Sequence, residues 1–439
     1  MTDDVGCIII WATAKHMKVP YRLVVVYKKT LPSGLSDFSP AHTVGQERHK
    51  LSISTPKMAV SPVLPALLLI LVFFDAQVHT HAQCVDAELA RAARACSRRL
   101  SLGQRQCRLF PTPERSIIRS LRPGDFRLSQ LRKGVFLYDN SFYTSLILKM
   151  DRRLALLDIP ESISLDGPDG NRTSFASAAE QVLNGTIPKR IDIVYSHGHF
   201  DHIGGTTRFV AYMEERYPSA SIFIWGTSTA RVLIENSVTK RAIFPNVIVG
   251  RRGRTLSLGE GLDVRMQIVG GHTASDLALY IPRFRDEPSI LMHVDVVFPN
   301  WAPPFNLAVT EDVGGYVRVH EELLKFDFDI FISGHWSVGD RKSVEMNHGY
   351  SKDLVQAAIT ALDEVTIEDF NEAGFGRFID PTAREFGNVL YAFVSVSRRV
   401  QIEACYRIII DKWGCRLPGL DLVGRGHCFT ALTYVEIEY

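Results

Sequence analysis

The chain has 439 residues, 46% hydrophobic and 22% charged, which gives enough apolar sequence for a sizeable core and excludes wholesale disorder. Fifty basic residues against 48 acidic ones leave a net charge of +2, so the composition carries no basic footprint for nucleic acid. Pairs such as Arg98-Arg99 and Arg251-Arg252 read as solvated surface, and a small molecule is the expected partner. The oligomeric state has no signature in the sequence.

The first distinctive segment is Ala59 to Phe74, an apolar run interrupted by two prolines and short for a membrane span. Lys57 and Met58 stand before it, and Thr80-His81-Ala82 follows, then Gln83. A basic start, an apolar centre and a T-x-A site are the layout of a secretory signal peptide, here residues 58–82. Such a peptide belongs at a chain start. The preferred reading is translation from Met58, with residues 1–57 an upstream gene-model extension. The alternative is a signal anchor with a short cytoplasmic tail, in which residues 59–74 would remain in a membrane.

Residues 83–119 read as a basic helical lead-in, rich in Ala and Arg (AELARAARACSRRL). Apart from Cys7, the cysteines are Cys84, Cys96, Cys107, Cys405, Cys415 and Cys428, three on each side of the middle of the chain. This even six fits three disulfides formed in an oxidising compartment, and none has the C-x-x-C spacing of a zinc ribbon or thioredoxin-like site. Asn171-Arg172-Thr173 and Asn184-Gly185-Thr186 are glycosylation sequons. Together these features point to a secreted or lumenal glycoprotein.

From about residue 120 the pattern turns to short strands: GVFLYD, FYTSLILKM and LALLDIP. IDIVYS (191–196) is an apolar strand, and Val210, Met213 and Tyr217 fall at helical spacing before Pro218. SIFIWG is a strand, TARVLIEN a helix, and VIVG, LDVRMQIVG, LALYIP and ILMHVDVVF are strands. Tyr316, Val319, Leu323 and Phe326 mark a helix ahead of the strand FDIFIS (328–333). Residues 350–413 are mainly helical, and the end from 414 has no clear pattern. Strands interleaved with single helices predict a layered α/β architecture.

The segment Ser196-His197-Gly198-His199-Phe200-Asp201-His202-Ile203-Gly204-Gly205 follows an apolar strand directly. Three imidazoles and a carboxylate on one turn, anchored by a strand, supply the nitrogen and oxygen donors of a zinc-class site. The glycine pair is expected to turn the backbone sharply into the next helix.

This H-x-H-x-D-H segment resembles the signature of the metallo-β-lactamase superfamily. The rest of the chain follows the family's order over residues 125–340: Gly270-Gly271-His272 after a strand, Asp295 at the end of a later strand, and Gly334-His335 after another. The resemblance implies a four-layer αββα sandwich over residues 120–345. The lead-in precedes it, and a mainly helical, Cys-containing extension follows over residues 346–439.

It implies two divalent metal ions, zinc first with manganese or iron as alternatives. His197, His199 and His272 would hold one, Asp201, His202 and His335 the other, with Asp295 bridging. Ions about 3.5–4 Å apart can share a hydroxide, which makes Asp201 and Asp295 the catalytic carboxylates. Asp158, in LLDIP, matches an acidic position behind the ligands and is expected to orient one of their imidazoles.

Some residues depart from the family pattern. Val294 stands where Gly usually precedes the bridging Asp. Alternation along a strand would put His293 on the face of Asp295, as a core or substrate-facing residue in preference to an extra ligand. The bridging residue is Asp and not Cys, no drug-binding Lys follows it, and the Gly-Cys-Gly-Arg stretch of glyoxalase II is absent. Phe298, Trp301 and Phe305, in a Pro-rich loop, form either an apolar substrate wall beside the metals or a small packed cluster.

The expected activity is hydrolysis of an ester, lactone, thioester or amide. The alternative is a mononuclear-iron dioxygenase of the same superfamily, acting on a thiol or persulfide.

Overall fold

The computed structural model describes residues 5–12, 21–28, 121, 125–160, 174–238 and 242–437. The signal peptide (58–82), the lead-in (83–119), Cys84, Cys96, Cys107 and the Asn171 sequon lie outside the described residues. The chain divides into two compact units, Met1–Val72 and Phe73–Tyr439. In the first, β1 (Val5–Ala12) and β2 (Tyr21–Lys28) pair antiparallel, a hairpin that the sequence reading did not anticipate.

The second unit holds two mixed sheets. One runs in chain order through β3 (Arg127–Arg132), β4 (Val135–Asp139), β5 (Thr144–Met150), β6 (Arg153–Leu157), β7 (Arg190–Val194), β8 (Ser221–Gly226) and β9 (Val247–Ile248). β3 to β6 are joined antiparallel, whereas β6 to β9 are parallel. Parallel neighbours need crossovers, and helices supply them. These are α1 (Ser174–Leu183), α2 (Phe200–Ile203) with α3 (Thr206–Arg216), and α4 (Ser228–Asn236).

The other sheet runs through β10 (Arg254–Gly259), β11 (Leu262–Ile268), β12 (Leu277–Ile281), β13 (Ile290–Met292), β14 (Ile330–Ile332) and β15 (Val338–Gly339). Its one parallel pair is β13 with β14, bridged by α5 (Val313–Leu323).

Alternation along β6 shows how the layers form. Ala155 and Leu157 join the core between the sheets, with Leu256, Val264 and Met292 from the other sheet. Leu154 and Leu156 point the other way, into the core made with α1 and α3. Each fully buried leucine contributes roughly 1.5–3 kcal/mol. A third core packs Leu291, Val296 and Phe331 against α5, α6 (Arg341–Glu364), α9 (Val389–Trp413) and α10 (Leu420–Ile437). Helix, sheet, sheet, helix is the four-layer αββα sandwich.

Short helices α7 (Ile367–Glu372) and α8 (Gly376–Ile379) pack on α9 through Phe370, Phe375, Ala392 and Val396. Cys405 and Cys428 form a disulfide between α9 and α10.

Three expectations change. The 345/346 boundary falls inside α6, which starts at an Asp340–Ser343 capping box and runs on to Glu364, so the extension continues the outer helical layer. The strand expected over ILMHVDVVF is regular only to Met292; His293 N–H still donates to Ile332 O (3.1 Å), and Asp295 then takes a left-handed φ of 64° that breaks the pleat. His293 and Asp295 therefore do not share a strand face. The patternless end from 414 contains the helix α10.

Candidate metal centre

The two sheets are stitched together at one edge. Leu277 N–H, opening β12, donates to Ser196 O beyond β7 (2.8 Å), and Thr144 N–H, opening β5, donates to Gly334 O beyond β14 (2.8 Å). All seven sequence-predicted ligands lie at this edge, on loops leaving strands of both sheets or on the short helix α2.

His197 and His199 precede α2, and Asp201 and His202 lie on it. Gly204 and Gly205 do not make the sharp turn expected, since both have right-handed φ values of −65° and −72°. Gly205 serves a close approach instead. A Cβ there would lie 2.9 Å from Ile159 Cγ2 and 3.0 Å from Ile159 O. In the other sheet, Gly271 has φ 127°, and a Cβ on it would meet Val319 of α5 at 2.8 Å. The turn therefore sits tight on the helix and presents His272. Glu311 N–H (2.9 Å) and Thr310 Oγ1 (3.1 Å) secure the His272 carbonyl.

The ligands converge as two groups, His197, His199, His272, Asp295 and Asp201, His202, Asp295, His335, each with donor atoms within 4.8 Å of one another. Asp295 belongs to both. Its Oδ2 lies 3.6 Å from His197 Nε2, 3.7 Å from His272 Nε2 and 3.0 Å from His202 Nε2, and its Oδ1 lies 2.9 Å from His335 Nε2. His272 Nε2 and His199 Nδ1 are 2.9 Å apart, and His202 Nε2 is 3.1 Å from His335 Nε2.

The donor set fits divalent cations. His197 Nε2 is buried and aimed at the cluster without a hydrogen-bond partner. His335 Nδ1–H donates to Phe142 O (2.9 Å), which leaves its Nε2 lone pair facing inward. His197 Nδ1 lies 2.9 Å from Ser196 Oγ, a contact that fixes the ring's orientation. Imidazole and carboxylate without thiolate suit zinc, manganese or iron.

The imidazoles and carboxylates of the cluster shift one another's protonation strongly. Burial pushes the Asp295 carboxyl up, but His202 and His335 together pull it well below the usual range. Burial disfavours the His202 imidazolium, yet Asp295 and Asp201 raise it well above its ordinary value. His197 is driven far down and His272 down to about 4, both chiefly by burial, so both rings are neutral as ligation requires.

Asp158 is buried behind the cluster with a φ of 67°. Its Oδ1 accepts the Ser196 N–H (2.7 Å), so it fixes the backbone ahead of His197 and touches no imidazole by a hydrogen bond. Burial raises its carboxyl to about 6, with His202 pulling the other way.

The proposed substrate wall is corrected by burial. His293 is 0% exposed and its Nε2 lies 3.1 Å from Gly270 O, bracing the turn that carries His272. Phe298 is 0% exposed, stacked behind His335 at 6.0 Å and against Trp336 at 5.5 Å. Both are packed inside the protein and present no surface to a substrate. Trp301 lies half-buried 5.8 Å from Trp336, and Phe305 is 71% exposed.

Tyr143, Trp336 and Glu311 are neighbours that sequence reasoning missed. The Tyr143 ring lies 5.5 Å from His202 and 4.9 Å from His335, and burial, Asp201 and Asp295 all hold its phenol protonated. Glu311 Oε1 lies 3.7 Å from His199 Nε2. Trp336 follows His335 directly in the chain, whereas no spacing signal marks Glu311 or Tyr143, which is brought to the site by pairing of its segment with Gly334 and His335.

No family model and no curated protein matches the chain. Among solved structures it is similar to a metallo-β-lactamase from Pontibacter korlensis, 16% identical with a TM-score of 0.40, over 52% of this chain and 99% of that one. A metallo-β-lactamase from Erythrobacter litoralis gives 16% and 0.40 over 53% and 99%. The sec-alkylsulfatase Pisa1 from Pseudomonas sp. gives 13% and 0.47 over 72% of this chain, and the chain spans 50% of that enzyme's length.

Proposed function

We propose that the protein is a metal-dependent hydrolase with a two-ion centre, cleaving an ester, lactone, thioester or amide of a small molecule. One observation carries this reading: two complete ligand groups share a single carboxylate, Asp295. Bound there, two divalent cations would lower the pKa of a captured water toward neutrality and polarise the scissile carbonyl.

The chain's own residues prepare for that chemistry. Asp295, buried and left-handed, holds both groups in register. The Asp201 side chain, 44% exposed, faces solvent at the mouth and can orient an incoming water. Tyr143 keeps its phenolic proton beside His202 and His335 and can donate it in a hydrogen bond to a developing negative charge. His199 and Glu311, 3.7 Å apart, are both partly exposed beside the centre.

We also place the protein in the secretory pathway. The Cys405–Cys428 disulfide supports this, as does Asn184, which stands exposed on the turn after α1 as a glycan acceptor must.

The test is the full chain expressed in eukaryotic secretory cells and purified without chelator. About two divalent ions per chain are expected by elemental analysis, with a mature start near Gln83 by intact mass. Turnover is expected on at least one member of a lactone, thioester, phosphodiester and β-lactam panel. A single iron with oxygen consumption on a persulfide would replace this reading with the dioxygenase. A chain that retains residues 1–57 with Cys84, Cys96, Cys107, Cys405, Cys415 and Cys428 all free would end the export reading.

A further inference from the structure

Residues 298–311 form a loop that runs from one ligand group to the other. At its first end Phe298 stacks behind His335, and Pro299 O accepts from Ser337 Oγ (2.7 Å). At its second, Glu311 N–H donates to His272 O (2.9 Å), and Glu311 Oε1 lies 3.7 Å from His199 Nε2. Between these ends Phe305 and Val309 stand exposed. Phe305, Leu307, Ala308 and Val309 all take left-handed φ, from 35° to 61°. Residues with a Cβ disfavour that region, so such a stretch persists only where its neighbours impose it.

Those neighbours are the C-terminal helices. Ala302 N–H donates to Pro418 O (3.0 Å), in the turn between α9 and α10. Leu307 is buried in the core that both helices share with the second sheet. A Cβ on Gly426 of α10 would lie 2.5 Å from Asn306 Oδ1, so the helix sits directly against the loop. The next residue, His427, is 0% exposed, and burial pushes its imidazole down to about 4, so the ring is neutral. Its Nε2 lies 2.8 Å from Pro303 O, and a carbonyl only accepts, so Nε2 carries the proton. Nδ1 is then the acceptor for Tyr350 O–H of α6, 2.5 Å away. The imidazole also bonds the Phe305 backbone. One face of this buried ring thus holds the loop while the other is locked by α6.

We propose that His427 is a positioning residue for substrate binding, the link through which α6 and α10 set the loop and present Phe305 and Val309 as an apolar lip beside the centre. The substrate role rests on the hydrolase reading; the hold on the loop does not. His427 touches no metal ligand and acts only through the loop. Its loss therefore weakens binding of the apolar part of a substrate and leaves the chemical step alone, a rise in KM at constant kcat.

The experiment compares the metal-loaded full chain with its variants by hydrogen exchange and by hydrolysis of p-nitrophenyl acetate and p-nitrophenyl octanoate. His427→Leu should speed exchange over residues 299–311 several-fold with metal content unchanged. It should also raise KM for the octanoate several-fold at constant kcat, with little effect on the acetate. His427→Gln, which keeps a donor for Pro303 O, should recover most of both. Tyr350→Phe should give the same changes in milder form, and it decides where His427→Leu does not fold. In the double variant with Phe305→Ala the KM effects should not multiply, because one residue acts through the other. Unchanged exchange over 299–311, a loss confined to kcat, no recovery in His427→Gln, or multiplying KM effects would each overturn the proposal. Exchange needs no substrate, so the two readings separate. A loosened loop with no turnover on any panel member sinks the hydrolase reading and the substrate role with it, whereas turnover with an unloosened loop sinks the proposal alone.

Discussion

The two halves of the sandwich furnish the same site by opposite means. The first sheet delivers His197, His199, Asp201 and His202 from one short loop and the single turn of α2, so their spacing is local chemistry. The second sheet delivers His272, Asp295 and His335 one at a time, from three turns that meet only because β12, β13 and β14 lie side by side. The first set depends on a segment and the second on a topology. Asp295 joins them, as the one residue present in both ligand groups.

The sharpest way to break this comparison is Asp295→Ala. If the second half supplies the link between the ions, turnover should fall by orders of magnitude and metal content from about two per chain toward one or none. The fold should survive, because the buried strands of both sheets do not depend on this carboxylate. Metal analysis, thermal unfolding and turnover on the best substrate are read together. Near-normal turnover would leave a one-ion site on His197, His199 and His272 as the better account.

The same asymmetry explains what the sequence could and could not reveal. The H-x-H-x-D-H segment is legible because its donors are neighbours in the chain, and His272 and His335 because glycines and apolar strands announce their turns. Tyr143 is invisible in sequence because pairing of its segment with Gly334 and His335, far away along the chain, brings it in. The burial of Phe298 is hidden for a related reason. Its backbone N–H meets Asn347 Oδ1 (3.4 Å) on α6, a helix that follows the last ligand. The layer that decides which aromatics are core is written after the loop that carries them. Gly205 misleads in the same direction, since its role is set by contact with Ile159 and not by a turn of its own.

Phe298→Ala sharpens the point with a smaller effect. Removing a fully buried ring that backs His335 should cost roughly 3–5 kcal/mol of stability. A clear drop in Tm is expected, with loosened binding of the ion that His335 holds. An unchanged Tm would mean that Phe298 lines an open wall after all.

Phe305→Ala is the counterpart, with the smallest expected change. It lies on the same loop and suggested the same role, yet it is 71% exposed where Phe298 is 0%. An exposed side chain away from caps and buried networks shifts stability by no more than about 0.5 kcal/mol, so Tm should stay put. If Phe305 is the part of the loop that meets substrate, KM for apolar substrates should rise while kcat and metal content hold, the pattern of lost uniform binding. The pair of variants thus divides one sequence motif into a packing residue and a surface residue. An equal loss of Tm in both would show that the loop folds as one cluster, and an effect of Phe305→Ala on kcat alone would put its ring against the reacting atoms instead of at the rim.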